Sequence, residues 1–271
     1  MPHHSFLLAT AIVGLAVMTS QRASLAPDPQ SVIWFRQPAK DWNEALPIGN
    51  GRMGAMLFGG TAKETLQLND NTFWAGHPHD YSVPGSSDVL PEIRRLLFAG
   101  KESDATSLAD RRFMGSPKFQ AAYQTLGELT LELEGVSQPR DYVRSLDVTS
   151  GLQTTSFSSG DVMLTREAIA SASDGDIAVR LKASKKGALT GHALLSGPFQ
   201  TGAAAFSHDT LLAQGQWKDD GRRKDWTASW DKPGIKYAAA LSIRTTGGKS
   251  EIQGKSLHFT GATEVLFILR T

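Results

Sequence analysis

The protein is a chain of 271 residues with a formal net charge of +1 at pH 7, and 40% of its residues are apolar. These values are typical of a globular protein with one large or two ordinary domains, and they exclude the strongly basic class that binds nucleic acids. The sequence contains no cysteine, which excludes disulfides, thiolate zinc sites and cysteine nucleophiles.

The N-terminus has the pattern of a secretory signal peptide. Residues 6–18 form a continuous apolar run of the length of a signal core, and Ser24-Leu25-Ala26 supplies small residues before a cleavage point. No Lys or Arg precedes the run, so a buried helix or an uncleaved anchor is the alternative. We expect residues 1–26 to be a signal peptide and the protein to be exported, to the periplasm or outside the cell. No later segment approaches ~20 apolar residues, so no membrane partner is expected after cleavage.

From residue 30 onward, apolar residues recur mostly with a period of two, which indicates β-strands separated by glycine-containing turns. The predicted strands cover residues 32–35, 53–58, 64–68, 129–133, 142–148, 152–158, 162–170, 177–183, 188–195, 210–216, 235–243, 250–259 and 264–269. Such regular strands predict a mainly β protein with one large antiparallel β-sandwich over residues 30–271. The strands do not alternate with long helices, which argues against a parallel α/β sheet.

One helical insert interrupts the strands at about residues 88–114. Asp88 is the expected N-cap of a helix over residues 91–98, and Gly100 is its expected stop. A second helix is predicted over residues 101–113, where apolar residues recur on one face.

Two motif matches are weak. Gly49-Asn-Gly-Arg-Met-Gly54 fits the glycine pattern of dinucleotide-binding proteins, but that fingerprint needs a helix after it, and a β-type alternation follows here. His77-Pro-His79, with Asp80 beside it, offers three neighbouring side chains, whereas a catalytic zinc site needs three ligands that converge on one open position. A surface turn is the favoured reading. We therefore predict neither a cofactor nor a metal.

The segment after the glycine-rich stretch of residues 45–60 is the candidate binding site. It combines asparagines, whose amides both donate and accept hydrogen bonds, with a tryptophan that can stack on a sugar ring. Asx turns and core packing are the alternative roles, and the two readings stay open. The candidate substrate-binding residues are Asn69, Asn71, Trp74 and His77.

Further tryptophans lie near a polar stretch, residues 219–232. If Trp217, Trp226 and Trp230 are exposed they suit carbohydrate, and a lid packed on the sandwich is the alternative. Carboxylates cannot be paired from sequence, because inverting glycosidases need two carboxyl groups about 6.5–9.5 Å apart in space. Glu44, Asp70 and Asp80 are therefore read as turn formers or solvated charges.

Two segments together resemble the N-terminal domain of glycoside hydrolase family 95, the α-L-fucosidase and α-L-galactosidase family. They are Trp42-Asn-Glu-Ala-Leu-Pro-Ile-Gly-Asn-Gly-Arg-Met-Gly-Ala-Met-Leu-Phe-Gly59 and Leu68-Asn-Asp-Asn-Thr-Phe-Trp-Ala-Gly-His-Pro78. Residues 91–97, 123–129, 165–167 and 261–269 fit as well, so the resemblance covers about residues 30–271. Residues 69–74 read Asn-Asp-Asn-Thr-Phe-Trp where the family usually has Asn-Glu-Asp-Thr-Leu-Trp, a conservative departure.

The resemblance implies a β-sandwich followed by helical linkers, an (α/α)6 barrel and a C-terminal β domain. It also implies an inverting mechanism, with a glutamic acid as general acid and an aspartate, helped by asparagines, that activates water. Those residues belong to the barrel, which we expect to be absent from this chain, so no catalytic residue is assigned. The chain ends at Thr271 directly after an apolar strand, and we expect this to be a cut rather than a natural end.

Three functions are consistent with these observations. The leading one is the sandwich domain of an exported fucosidase-type hydrolase, which packs on the barrel and lends the loop of residues 69–77 to the active-site rim, with a fucosylated glycan as substrate. The second is a self-standing carbohydrate-binding module. The third, a hydrolase with its active site inside the sandwich, needs convergent carboxylates.

Overall fold

The computed structural model of the protein describes residues 29–75, 80–116, 118, 121–218 and 234–271. The expected signal peptide lies outside these residues. Neither of the two α-helices in the described part is long and apolar enough to cross a membrane.

Sixteen strands of the described residues form two antiparallel sheets. The strands are β1 (Val32–Phe35), β2 (Leu46–Gly49), β3 (Met53–Leu57), β4 (Lys63–Asp70), β5 (Gly127–Leu133), β6 (Arg140–Asp147), β7 (Leu152–Ser159), β8 (Val162–Ala170), β9 (Ile177–Ala183), β10 (Leu189–Ser196), β11 (Gln200–Ala205), β12 (Thr210–Gln216), β13 (Lys236–Thr246), β14 (Lys249–Gln253), β15 (Ser256–Ala262) and β16 (Glu264–Arg270). The nine-stranded sheet has the order β1-β6-β7-β8-β9-β16-β13-β12-β11, and the seven-stranded sheet has the order β14-β15-β10-β5-β4-β3-β2.

The period-two pattern places alternate side chains between the two sheets. In β4, for example, every second residue from Glu64 to Asp70 is buried and the residues between them are not. Core side chains with no exposed surface are Leu57, Leu66, Leu129, Leu211, Leu241, Leu257, Val265 and Phe267. Each such side chain stabilises the fold by about 1.5–3 kcal/mol through burial of apolar surface. The predicted large antiparallel β-sandwich is confirmed.

The helical insert lies between β4 and β5. It consists of a 3-10 turn (Ser86–Val89), α1 (Leu90–Phe98) and α2 (Glu102–Arg112), with a small core of its own. The prediction that Asp88 caps the first helix is wrong. Asp88 lies within the 3-10 turn, and α1 begins at Leu90, whose N-cap position is held by Val89.

Four strands differ from the prediction. β2 was missed because its proline and glycine weaken the strand signal; it is an edge strand, where a proline without an N–H is tolerated. β11 was missed because it consists largely of alanine and glycine. The single strand predicted over residues 250–259 is in fact β14 and β15, which turn at Gly254.

Three polar side chains, Glu64, Tyr142 and Arg166, form what we call the inter-sheet network. Glu64 of β4 and Arg166 of β8 make an ion pair between the two sheets, with at most 2% of either side chain exposed. Glu64 Oε1 also accepts hydrogen bonds from three backbone N–H groups, those of residues 58, 59 and 65. Burial raises the pKa of the Glu64 carboxyl, while Arg166 and these backbone donors act against that rise.

Close packing explains the glycine pair at the turn between β3 and β4, against the inter-sheet network at Gly59 and against the backbone of the turn at Gly60. Tyr142 Oη donates to the Gly59 carbonyl at 2.6 Å, and Arg166 Nη2 donates to the Gly60 carbonyl at 2.8 Å. A Cβ at residue 59 would overlap the Tyr142 hydroxyl, and one at residue 60 would overlap the Lys63 carbonyl oxygen. The glycine-rich motif is therefore needed at this turn for packing.

Candidate functional site

The loop after β4 is built on the buried carboxylate of Asp70. Its Oδ1 accepts from the backbone N–H and the hydroxyl of Thr72, at 2.9 and 2.6 Å, which is an Asx turn. Its Oδ2 accepts from the hydroxyl of Thr271 at 2.6 Å and lies 3.4 Å from Arg52 Nε. Burial by itself would raise the pKa of Asp70, but the bonds from Thr271 and Thr72 and the charge of Arg52 outweigh it, so the pKa is lowered.

Trp74 and Tyr123 form an aromatic pair next to Asp70. The rings of Trp74 and Tyr123 lie 5.1 Å apart at 60°, and both side chains keep about two-fifths of their surface exposed. Trp74 Nε1 donates to the Asn71 carbonyl, and Tyr123 Oη donates to the Asp70 carbonyl, both at 2.9 Å. Both rings are thus fixed by hydrogen bonds while part of each stays exposed, which is an arrangement suited to stacking on a sugar ring.

The predicted site residues do not all converge. Asn71 and Trp74 lie together through the bond from the indole, but the Asn71 amide donates to the Gly51 carbonyl at 2.8 Å, which is a structural role. Asn69 lies on the outer face of the seven-stranded sheet, opposite Gly54. In the described part of the chain, no hydrogen bond or ring contact joins Asn69 to Asn71 or Trp74. His77 lies outside the described residues.

Tyr123 is the residue that the sequence prediction missed. It comes 49 positions after Trp74, beyond the helical insert, and the two meet as an isolated antiparallel bridge that closes the base of the insert. A signal was present, because Tyr123 opens one of the segments that carry the family resemblance.

The motif Gly49–Gly54 forms the hairpin between β2 and β3. Asn50 Oδ1 accepts from the N–H groups of Arg52 and Met53, and the Asn50 amide donates to the Ser171 carbonyl. No helix follows the motif, so the geometry of a dinucleotide fingerprint is missing here.

The other sequence candidates serve packing or lie outside the described residues. Trp217 is 8% exposed, so the reading of an exposed sugar-stacking tryptophan is wrong at this position. Trp226 and Trp230 lie outside the described residues, as does His79. Among the described residues, no group of three or more His, Asp or Glu side chains is placed to hold a metal ion.

The buried carboxylates of the described part do not support an active site inside the sandwich. Glu64, Asp70 and Asp176 are each buried, and each is paired with an arginine: Arg166, Arg52 and Arg270, respectively. Because each of these carboxylates is buried and forms an ion pair with its arginine, none is presented to a substrate.

Replacing Asp70 by asparagine is expected to lower the free energy of unfolding at neutral pH by about 1–3 kcal/mol, because a charged acceptor is lost from a buried cluster. The pKa of Asp70 is lowered in the folded state. Its stabilising effect is therefore present above the unfolded-state pKa of about 3.9 and is lost as the pH falls through the folded-state pKa. Urea unfolding of both proteins over a pH series should show a difference that shrinks below about pH 4.

The matched control is Asp110→Asn, since the Asp110 carboxylate is exposed and its nearest cation is 3.6 Å away. This control should unfold like the parent protein at neutral pH. A destabilisation by Asp70→Asn that is the same at every pH would contradict the role given to the Asp70 charge.

The described part is thus a two-sheet antiparallel β-sandwich with an aromatic pair at the base of a helical insert, and comparison with known proteins assigns such a domain to the glycoside hydrolases. The chain belongs to the family described as glycosyl hydrolase family 65, N-terminal domain, whose model matches residues 33–271. The sequence resemblance was to family 95, and the two families share this type of N-terminal β-sandwich. The identification of a glycoside hydrolase N-terminal domain is confirmed.

The curated relatives include several α-fucosidases. The chain is 37% identical over 159 residues to alpha-L-fucosidase 2 of Arabidopsis thaliana, a match that covers 58% of this chain and 18% of that protein. It is 33% identical over 125 residues to a probable alpha-fucosidase A of Aspergillus oryzae (44% and 17%) and 33% identical over 148 residues to one of Aspergillus niger (52% and 18%). The chain therefore spans less than a fifth of the length of these relatives.

Among solved structures, a putative kojibiose phosphorylase from the human microbiome covers 88% of this chain, which matches 32% of that protein, at 9% identity. The TM-score is 0.40, a level from which no functional conclusion follows.

Proposed function

We propose that this chain is the N-terminal β-sandwich domain of an exported α-L-fucosidase-type glycoside hydrolase, acting on terminal α-L-fucosides. In this proposal the sandwich supports an (α/α)6 barrel that holds the catalytic residues, and the aromatic pair of Trp74 and Tyr123 lines the rim of the active site. The family membership and the fucosidase relatives support the proposal.

The observation that carries the rim role is that Asp70 links the aromatic pair to the end of the last strand, β16 (Glu264–Arg270). The Thr271 hydroxyl is bound by Asp70, and the Thr271 carbonyl accepts from Arg52 Nη2 at 2.6 Å. The same Asp70 offers its backbone carbonyl to Tyr123. A barrel packed against this end of the sandwich would therefore bring a bound sugar to both rings.

Trp74→Ala in the full-length protein that carries this domain is expected to lower kcat/KM for release of L-fucose from α-L-fucosides by up to about tenfold. The loss of one aromatic stacking partner is of this size. The midpoint of thermal unfolding should change little, because Trp74 is half-exposed and lies outside the main core.

Trp34→Ala is the matched control. Trp34 is 55% exposed and lies on β1, an edge strand of the other sheet, so its loss should leave kcat/KM unchanged. Equal kinetics for Trp74→Ala and the parent enzyme would refute the rim role without bearing on the family assignment.

A self-standing carbohydrate-binding module is the second candidate, and the exposed faces of Trp74 and Tyr123 favour it as well. Sugar binding by the 271-residue chain alone, without a barrel, would favour this candidate.

The apolar run of residues 6–18 and the small residues at 24–26 support export. The intact mass of the native protein tests export, since it gives the first residue after cleavage. It also distinguishes the two candidate functions, since it shows whether a barrel follows.

A further inference from the structure

A polar groove of about 510 Å³ lies on the outer face of the seven-stranded sheet, and neither Trp74 nor Tyr123 is among its lining residues. We call it the outer groove, and its lining residues are Gln67, Thr125, Gly127, Glu128, Ser196, Gly197 and Pro198. Its volume falls within the range of about 300–1,000 Å³ that is typical of small-molecule sites. We propose that the outer groove binds a neutral saccharide through its hydroxyl groups.

Three polar side chains of the outer groove form one row across three neighbouring strands. Gln67 of β4 is the register partner of Glu128 of β5, which is in turn the register partner of Ser196 of β10. The Gln67 amide donates to Glu128 Oε1 at 3.3 Å. This contact orients both side chains and leaves the Gln67 carbonyl and most of the acceptor sites of the Glu128 carboxylate open to a ligand.

The floor of the outer groove is backbone. A Cβ at Gly127 would overlap the Ser196 carbonyl oxygen, and one at Gly197 would lie 2.8 Å from the Leu126 carbonyl oxygen. The two segments can approach this closely only because both residues are glycines. The result is a floor without side chains, beside the exposed ring of Pro198, on which the apolar face of a sugar ring can rest.

The lining chemistry favours a neutral polyhydroxylated ligand. A carboxylate accepts hydrogen bonds from hydroxyl groups, and an amide carbonyl and a serine hydroxyl add further partners. None of the described lining residues is basic, so a phosphate or carboxylate ligand would meet only the negative charge of Glu128. A cation would find one carboxylate in an open groove, which is a weak site.

The test is a titration of the isotope-labelled 271-residue chain with methyl α-L-fucopyranoside and with methyl β-D-galactopyranoside, followed by the backbone amide shifts. At least one of these glycosides should cause saturable shifts, at millimolar concentration, of the amides of Gln67, Glu128, Ser196 and Gly197. Glu128→Ala should weaken binding about tenfold, because a charged acceptor is removed. Glu251→Ala, on β14 of the same sheet and well outside the lining, should bind like the parent chain.

Several results would overturn the inference. They are the absence of saturable shifts, shifts that centre on Trp74 and Tyr123 instead, equal binding by Glu128→Ala, and stronger shifts of the same amides with inorganic phosphate or spermidine. The inference rests on the proposed function only in its expectation that the protein encounters glycans. Fucosidase activity with an empty outer groove would refute this inference alone, and a sugar-binding groove without fucosidase activity would refute the proposed function alone.

Discussion

Replacing Arg166 by methionine is expected to lower the free energy of unfolding by about 3–5 kcal/mol, the usual effect of breaking a buried ion pair. The reason is the position of Glu64, which has no exposed surface and would lose the arginine with which its carboxylate forms an ion pair. Urea denaturation at neutral pH measures the loss. Adding Glu64→Gln to Arg166→Met should recover part of the stability, because the neutral amide still accepts from the backbone N–H groups of the turn while the uncompensated charge is gone.

Arg180→Met is the matched control for this experiment. Arg180 of β9 pairs with Glu167, the neighbour of Arg166 in sequence, but half of the Arg180 side chain is exposed. An exposed pair of this kind contributes about 0–1 kcal/mol. Equal destabilisation by Arg166→Met and Arg180→Met would show that burial of the Glu64–Arg166 pair has no special weight in this fold.

Gly60→Ala is expected to destabilise the protein by about 3 kcal/mol, the upper end of the usual cost of a steric conflict in packed surroundings. The added methyl would overlap the Lys63 carbonyl oxygen, which is backbone and cannot rotate away as a side chain can. The Gly60 carbonyl is also an acceptor for Arg166, so a shift of the turn would disturb the inter-sheet network. A lower midpoint in urea and in thermal unfolding is the expected result.

Gly202→Ala provides the control, since a Cβ there would meet nothing within 4 Å. It lies in β11, the edge strand of the nine-stranded sheet, and alanine should be neutral or slightly stabilising because glycine in a strand loses more conformational entropy on folding. If Gly60→Ala were as stable as Gly202→Ala, the turn would be adaptable and the explanation of the glycine pair would fail.

The Arg166→Met and Gly60→Ala variants test whether the glycine-rich motif serves the packing of the fold or the recognition of a sugar. From sequence, the motif and the polar segment after it suggested a rigid polar surface for sugar recognition. In the structure, Gly59 leaves room for Tyr142 of the inter-sheet network, and Gly60 leaves room for the Lys63 carbonyl of the turn. Asn71 holds the hairpin between β2 and β3. Among the described residues of the segment after β4, Trp74, joined by Tyr123, keeps an exposed aromatic surface.

Part of the candidate site could be predicted because its signals are local. The Asx turn at Asp70 follows from a short polar side chain next to Thr72, and the exposure of Trp74 is consistent with the polar residues around it. The family-like segment that Tyr123 opens gave a signal for this residue, but not for its pairing with Trp74. The helical insert separates the two residues in sequence, and their bridge forms only when the insert closes. The outer groove also had no local signal, since its row of residues comes from three strands.

The amino-acid sequence by itself determined the class of fold. Period-two alternation decides which face of each strand is apolar, and apolar faces must be buried, so two packed sheets follow from the pattern alone. The two motifs between residues 42 and 78 likewise identified the type of domain, an N-terminal β-sandwich of a glycoside hydrolase, whereas the matching family model is that of family 65 and not family 95. The tertiary structure decided which polar residues meet. Glu64 and Arg166 are 102 positions apart, and Asp70 and Thr271 are 201 apart. Local patterns carry no information on such pairs, because their contact depends on strand order and register across the two sheets.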